Sequence, residues 1–339
     1  MKRFVVFPNL TVSPAQRPNP YIQDYIEALN RLPDVRVINP AHKNPLLSLL
    51  PPSRWGDVFI FNWFESIPDF KYGPLQAVTA TAFLLFQRIR GKKIVWMLHN
   101  KKPHAQGRDG MKTFLARLIA KNSSLIITHS EEGVRLVHDD FPYAAHKVHY
   151  IDHPTKCRLP LATAAHTAEK KYDLLIWGTI ARYKGIFEFV DYIRTNKIDH
   201  LRICIVGGAS EAVFNDLKAI CPDNVTLINQ RPSFDELADY INQSEFVLCP
   251  YAPETILSSG MLMDSLSFGA KVIGPEVGSF KDYAGNSLLN VYTFKSFDDI
   301  AGIVQQHKHD SVSLANYRKF LEENDWTHYA QKLAKLLGI

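Results

Sequence analysis

Residues 258–275 read SSGMLMDSLSFGAKVIGP, and the reading of this stretch decides the fold. A Ser-Ser-Gly turn opens an apolar run with helical spacing through Met261, Leu262, Ser265 and Leu266, which Gly269 stops. Residues 271–275 then read as a short buried strand. A helix that begins Ser258, Ser259, Gly260 offers backbone N–H groups and two hydroxyls with no bulky side chain in the way. That is an anion site suited to phosphate. Asp264 lies one turn deeper on the same face as Gly260, where it would oppose the phosphate but could accept hydrogen bonds from sugar hydroxyls beyond. A serine-capped helix in an ordinary helix–strand unit explains the turn by itself. An aspartate facing inward from an apolar helix needs a partner.

Strand and helix patterns alternate on both sides of this stretch. In the second half, strands are expected at residues 172–177, 202–206, 225–228 and 246–250, with helices at 186–194, 213–220 and 234–242. In the first half, strands are expected at 4–7, 35–38, 57–62, 93–99 and 125–128, with helices at 21–29 and 131–138. Such alternation predicts parallel sheets covered on both faces, with ligands beyond the carboxyl ends of the strands. Residues 155–171, TKCRLPLATAAHTAEKK, carry no strand pattern and read as a linker. The expected organisation is α/β, with two Rossmann-like domains facing across a cleft. These are residues 1–154 and 172–310, followed by terminal helices within 311–339 that cross back to the first domain.

The chain has 339 residues, 46% of them hydrophobic and 22% charged, which leaves room for two domains with substantial cores. A net charge of +5 is too small to imply nucleic acid; it suits a protein that handles phosphates or touches anionic lipid. Cys157, Cys204, Cys221 and Cys249 show no metal or redox spacing and are expected as buried, reduced thiols in a cytoplasmic protein. The opening MKRFVVFPN has too short an apolar run for a signal peptide, and no stretch is long and apolar enough to span a membrane. Residues 75–90, LQAVTATAFLLFQRIR, form an apolar helix with a basic end. A core helix is the favoured reading, and a face resting on a membrane is the alternative.

The chemistry-bearing residues gather at strand ends. The strand at 172–177 runs into GTIARYKG, residues 178–185. Gly178 there lets backbone approach a ligand, and Arg182 and Lys184 supply two cations fit for a diphosphate; a solvated basic loop is the plain alternative. No G-x-G-x-x-G follows either domain's first strand, and no P-loop is present. Glu65 and Asp69, after the third strand, read as acceptor contacts or as solvated loop carboxylates.

In this order the pieces resemble the GT-B glycosyltransferases and, more narrowly, glycosyltransferase family four. The resemblance is carried by the Gly…Lys-Gly turn, the glycine-opened helix with an acidic residue before FGAKVIGP, His99-Asn100 at a strand end and the terminal helices bearing Trp326. It covers nearly the whole chain. It implies that Lys184 and Arg182 hold the donor diphosphate, with Gly178, Ser258, Ser259 and Gly260. Asp264, with Gly207 and Arg231, would contact the nucleotide ribose or base. His99 would lie near the reacting sugar, or else make a structural hydrogen bond, and Asn9, Asn100 and Glu65 would face the acceptor. The family's usual arginine after the first glycine is Thr179 here, and its first glutamate falls at Ile256, with Glu254 out of register.

The implied activity is transfer of a sugar from a nucleotide diphosphate sugar to a hydroxyl of a glycan or lipid-linked acceptor. By resemblance it is retaining, and without an aspartate-x-aspartate pair it needs no metal or other cofactor. The expected setting is the cytoplasm or the inner face of a membrane, with no nucleic-acid partner. An inverting GT-B transferase, a nucleotide-sugar epimerase of the same architecture and a non-catalytic GT-B partner subunit are the alternatives.

Overall fold

The computed structural model describes residues 1–11, 20–49, 55–101, 109–163 and 169–339. The chain divides into two compact units, Met1–Asp152 with Trp326–Ile339, and His153–Asp325. The first contains β1 (Lys2–Phe7), α1 (Tyr21–Asn30), β2 (Val35–Val37), β3 (Val58–Asn62), α2 (Gly73–Ile89), β4 (Lys93–Leu98), α3 (Asp109–Asn122), β5 (Leu125–Thr128), α4 (Glu131–Asp140) and β6 (Val148–Tyr150). Its strands pair in parallel in the order β2-β1-β3-β4-β5-β6. All of β3 and all but the first residue of β4 are buried, so their unbroken apolar runs reflect cover on both faces. Ser130 stops β5 and starts α4, its hydroxyl accepting the Gly133 N–H at 3.0 Å. Sheet order reverses between β1 and β3, so the ends of those strands frame the crevice of this unit.

The second unit contains α5 (Leu159–Thr163), β7 (Tyr172–Trp177), α6 (Ile186–Thr195), β8 (Ile203–Val206), α7 (Glu211–Lys218), β9 (Val225–Ile228), α8 (Phe234–Asn242), β10 (Ser244–Leu248), α9 (Gly260–Ser267), β11 (Val272–Pro275), α10 (Gly278–Ala284), β12 (Val291–Phe294), α11 (Asp298–His307) and α12 (Leu314–Glu323). The parallel order β12-β11-β10-β7-β8-β9 is that of a Rossmann sheet, reversing between β7 and β10. Ser233 and Glu236 form a reciprocal capping box at the start of α8. After Asp325 the chain returns to the first unit as α13 (Trp326–Leu337), which buries Trp326, Tyr329 and Leu333 in the core beside Tyr21 and Tyr25.

Several expectations need correction. Residues 155–163 are no linker, because Leu159 and Ala162 lie in the second core and Arg158 is buried. The rest of the expected linker, up to 168, lies outside the described residues. Of the two terminal helices, α12 packs into the second core through Tyr317, Phe320 and Leu321, and α13 alone joins the first unit. Among the cysteines only Cys204 and Cys249 are buried; Cys157 is exposed and Cys221 half-buried. Helix α2 is not the core helix favoured from its composition, since its apolar residues face outward as well as inward. Among the described residues no helix is long and apolar enough to cross a membrane.

Candidate functional site

The reversal point of the second sheet is where the sequence placed its cations. At the end of β7, Gly178 takes φ 99°, and the Gly178 N–H donates to Val206 O at 3.1 Å. A Cβ on Gly207 would overlap the Gly178 carbonyl, so β7 and β8 end against each other as bare backbone. The turn then closes through a short 3-10 segment, Arg182–Lys184, onto Gly185. Gly185 has φ +72° and no room for a Cβ beside the Pro250 carbonyl, so only glycine lets the turn sit on the loop after β10.

This packing returns the Lys184 ammonium to the start of its own turn, 3.3 Å from where a Gly178 Cβ would stand. As a residue Lys184 is partly exposed, but its ammonium lies deep enough for burial to push its pKa down, with a small opposing effect from Cys249. Among the described residues no carboxylate stands within ion-pair distance of it. A desolvated cation without a counter-charge is a place for an anion. The loop after β10 carries Tyr251, whose hydroxyl accepts from Ser259 Oγ at 3.4 Å. Ser259 caps α9, accepting the Leu262 N–H at 3.2 Å, and leaves the first-turn N–H groups of Gly260 and Met261 ahead of any intrahelical acceptor. Trp177 fixes α9 against the end of β7 through an indole N–H to Ser265 Oγ at 2.9 Å. Lys184 and Gly178 thus meet at the end of β7, and the Gly185–Pro250 approach with the Tyr251–Ser259 bond ties their turn to the opening of α9, where Ser258 is half-buried.

Arg182 does not join them. Its guanidinium pairs with Asp216 of α7 at 2.8 Å in solvent and lies over the Phe187 ring at 4.3 Å. Gly207 is buried at the end of β8, and the exposed Arg231 lays its side chain across Gly208 beside it. Asp264 has a protein partner that the sequence reading missed: Oδ1 accepts from Arg158 Nη1 at 3.0 Å and from Thr155 Oγ1 at 3.3 Å. Arg158 is itself held over the Phe234 ring at 3.8 Å and bonded to Ser267 Oγ at 3.0 Å. The charge on Asp264 is therefore balanced by Arg158 of the supposed linker. Ile256, where the expected first glutamate would fall, is buried in the core, and Glu254 is exposed.

In the first unit, His99 follows β4 and is 6% exposed. Its Nε2 lies 2.9 Å from Asn62 Oδ1, while the Asn62 amide donates to Phe7 O at 3.0 Å. A carbonyl can only accept, so the Asn62 oxygen faces His99 and His99 carries its proton on Nε2. The ring stacks on Trp63 at 4.7 Å and meets Tyr21 edge-on at 5.3 Å. Trp63 holds φ 51°, a left-handed backbone that costs a bulky residue about 1–2 kcal/mol and that this stacking offsets. Beside them His129 donates from Nδ1 to Ile151 O at 2.8 Å, and its Nε2 lies 3.3 Å from the Tyr21 hydroxyl. Asn62, Trp63 and Tyr21 were legible only as a polar strand end and a helix start, with no motif to mark them.

The three acceptor-side candidates separate. The Asn9 amide is tied to Asn39 O at 2.8 Å and buried, and Asn100 is half-buried after β4. Glu65 is not a solvated loop residue. It is 6% exposed and accepts the Trp96 indole N–H at 3.2 Å, while Asp69 pairs with the buried Lys112 at 2.9 Å. His153 is buried, its Nδ1 2.9 Å from Pro154 O, and His104 lies outside the described residues.

Burial pushes Glu65 from the ordinary 4.5 up to about 6. The folded state therefore holds this proton more tightly than the unfolded chain does. The contribution is complete below 4.5 and lost as pH rises through 6, a difference of about 2 kcal/mol. Glu65→Gln keeps an acceptor for the indole and carries no charge. It is expected to raise the melting temperature at neutral pH and to do nothing at pH 4; equal gains at both would show that the carboxylate carries no penalty.

No family model matches the chain, and no curated relative does. Solved structures do. HepE from Anabaena, in complex with UDP-glucose, superposes with a TM-score of 0.66 at 13% identity, covering 100% of this chain and 99% of that one. A glycosyltransferase from Rickettsia africae follows with 0.61 at 10%, over 99% and 98%. The lipopolysaccharide outer core galactosyltransferase WaaB in its apo form gives 0.59 at 13%, over 99% of each chain. The chain has the GT-B fold. Identities this low carry the architecture, not the reaction.

Proposed function

We propose that the protein is a glycosyltransferase that moves a hexose from a nucleotide diphosphate sugar to a hydroxyl of a glycan or lipid-linked acceptor, in polysaccharide or glycolipid synthesis on the cytoplasmic side of the cell. The observation that carries this is the Lys184 ammonium, desolvated and without a carboxylate partner among the described residues, held at the Gly178 turn of a Rossmann reversal point. A departing diphosphate gains charge, and a fixed cation with the first N–H groups of α9 would stabilise it as it leaves. These groups supply the positive charge without a metal. A retaining outcome is supported by the resemblance alone. UDP-glucose, the ligand of HepE, heads the panel of donors to test.

The deciding measurement is thermal stabilisation by a panel of nucleoside diphosphates and their sugars. One of them, at a hundred times its Kd, should stabilise the protein by about 2.7 kcal/mol. No response to any of them would remove the donor reading. Once a donor is found, transfer should persist in excess chelator; loss with EDTA and rescue by magnesium would overturn the metal-free part.

For His99 we propose a contact to the transferring sugar, made from a ring whose tautomer Asn62 sets. His99→Ala should leave nucleoside diphosphate affinity unchanged and slow transfer about tenfold, the worth of one hydrogen bond to a charged or polarised group. A rate loss that follows the folded fraction would make the residue structural.

A further inference from the structure

We propose that the outward face of α2, with the adjoining face of α3, docks on a bilayer containing anionic lipid. Leu75 is 70% exposed, Val78 67%, Phe86 51% and Ile89 85%. Helical spacing brings these four to one face, and the same helix buries Gln76 and Gln87. A helix that only had to cover its own sheet would be arranged the other way round. Phe114 on α3 and Tyr143 extend the apolar surface, and the Tyr143 hydroxyl donates to Arg117 O at 3.3 Å.

Cations stand at both ends of this surface. Lys71 lies 5.2 Å over the Tyr72 ring before α2 begins. At the other end the Arg90 guanidinium stands 5.0 Å from the Trp55 ring and 5.5 Å from Phe86. Lys147, bonded to Lys121 O at 3.0 Å, has its proton affinity lowered by burial and then by the charge of Arg88. The sequence of α2, GPLQAVTATAFLLFQRI, contains no carboxylate.

That combination selects the occupant. A second copy related by a two-fold axis would set α2, without carboxylates and with cations at both ends, against itself. Nucleic acid would satisfy the cations and leave Leu75, Val78 and Ile89 in water. A bilayer with anionic headgroups takes up both the apolar stripe and its cations, as an interfacial helix does. This binding would not depend on the transfer reaction.

The full chain is sedimented with vesicles of phosphatidylcholine, with and without phosphatidylglycerol, at low and raised salt. It is expected to pellet with the anionic vesicles and to be released by salt. Arg88→Ala should weaken binding about fivefold, the worth of one cation near such a surface. Phe86→Asp with Ile89→Asp should abolish it while leaving the melting curve unchanged, since both side chains are exposed. Wild-type protein that stays in the supernatant, or a double variant that pellets like wild type, overturns the proposal. Equal binding to both kinds of vesicle removes the anionic requirement. A wild-type dimer that ignores vesicles and dissociates in the double variant assigns the face to self-association instead.

Discussion

Lys184→Met is expected to slow transfer by a factor of about 10²–10³ while leaving the protein as stable as before, or more so. The size is that of removing one fixed donor aimed at developing charge. The stability half follows from the same geometry. Burial holds the ammonium below its ordinary proton affinity, and no carboxylate among the described residues repays its desolvation. An apolar side chain of similar length loses that penalty and keeps the contacts of the stem. Arg182→Ala is the control. Its partner is Asp216 in solvent, a pair of small worth, so transfer and stability should both change little. Calorimetric titration with the diphosphate found by thermal screening, together with transfer rates, reads both variants. Normal transfer by Lys184→Met beside a dead Arg182→Ala would reverse the assignment.

The second large effect is on acid stability. Burial pushes His129 from the ordinary 6.5 down to about 4, with the bond to Ile151 O opposing it weakly. The unfolded chain takes up this proton first. The contribution of the neutral ring is thus complete above 6.5 and lost as pH falls toward 4, a change of about 3 kcal/mol. Glu65 moves in the opposite direction over part of the same range, so it masks some of the loss. Glu65→Gln should therefore show the fall more steeply than wild type. Four of the five tryptophans, Trp55, Trp63, Trp96 and Trp326, lie in the first unit, so their fluorescence follows its urea midpoint between pH 7 and 4. A midpoint in Glu65→Gln that is flat across this window would mean that His129 titrates in the folded protein as it does in the unfolded chain.

The centre of each sheet was legible, as was one edge of each, β2 and β9; the opposite edges were not. VFIF in β3 and IVWML in β4 are unbroken apolar runs because neighbours cover both faces. The strands missed altogether, VHY in β6 and VYTF in β12, lie at sheet edges, are short and are only partly buried. Lys184 was legible because a lysine before glycine at a strand-to-helix turn is a local pattern. Arg158 was not, because the pair it makes with Asp264 spans 106 positions and the intervening small and polar residues imitate a tether. The helix at 75–90 misled for another reason. Its composition is apolar, but which face turns inward depends on Gln76 and Gln87 filling the buried side, and no periodicity announces that.

The return of α13 to the first unit affects the order in which the protein can be made. The chain passes between the units twice, after Asp152 and after Asp325. A ribosome releases every residue of the second unit before the last part of the first. Until Trp326 and Tyr329 emerge, Tyr21 and Tyr25 lack the rings they meet in the finished protein, at 5.2 Å and 5.4 Å. The unit that is started first is finished last. A chain broken off before residues 326–339 would carry a complete Rossmann unit joined to an open aromatic core, a form that chaperones and proteases recognise by its exposed apolar surface.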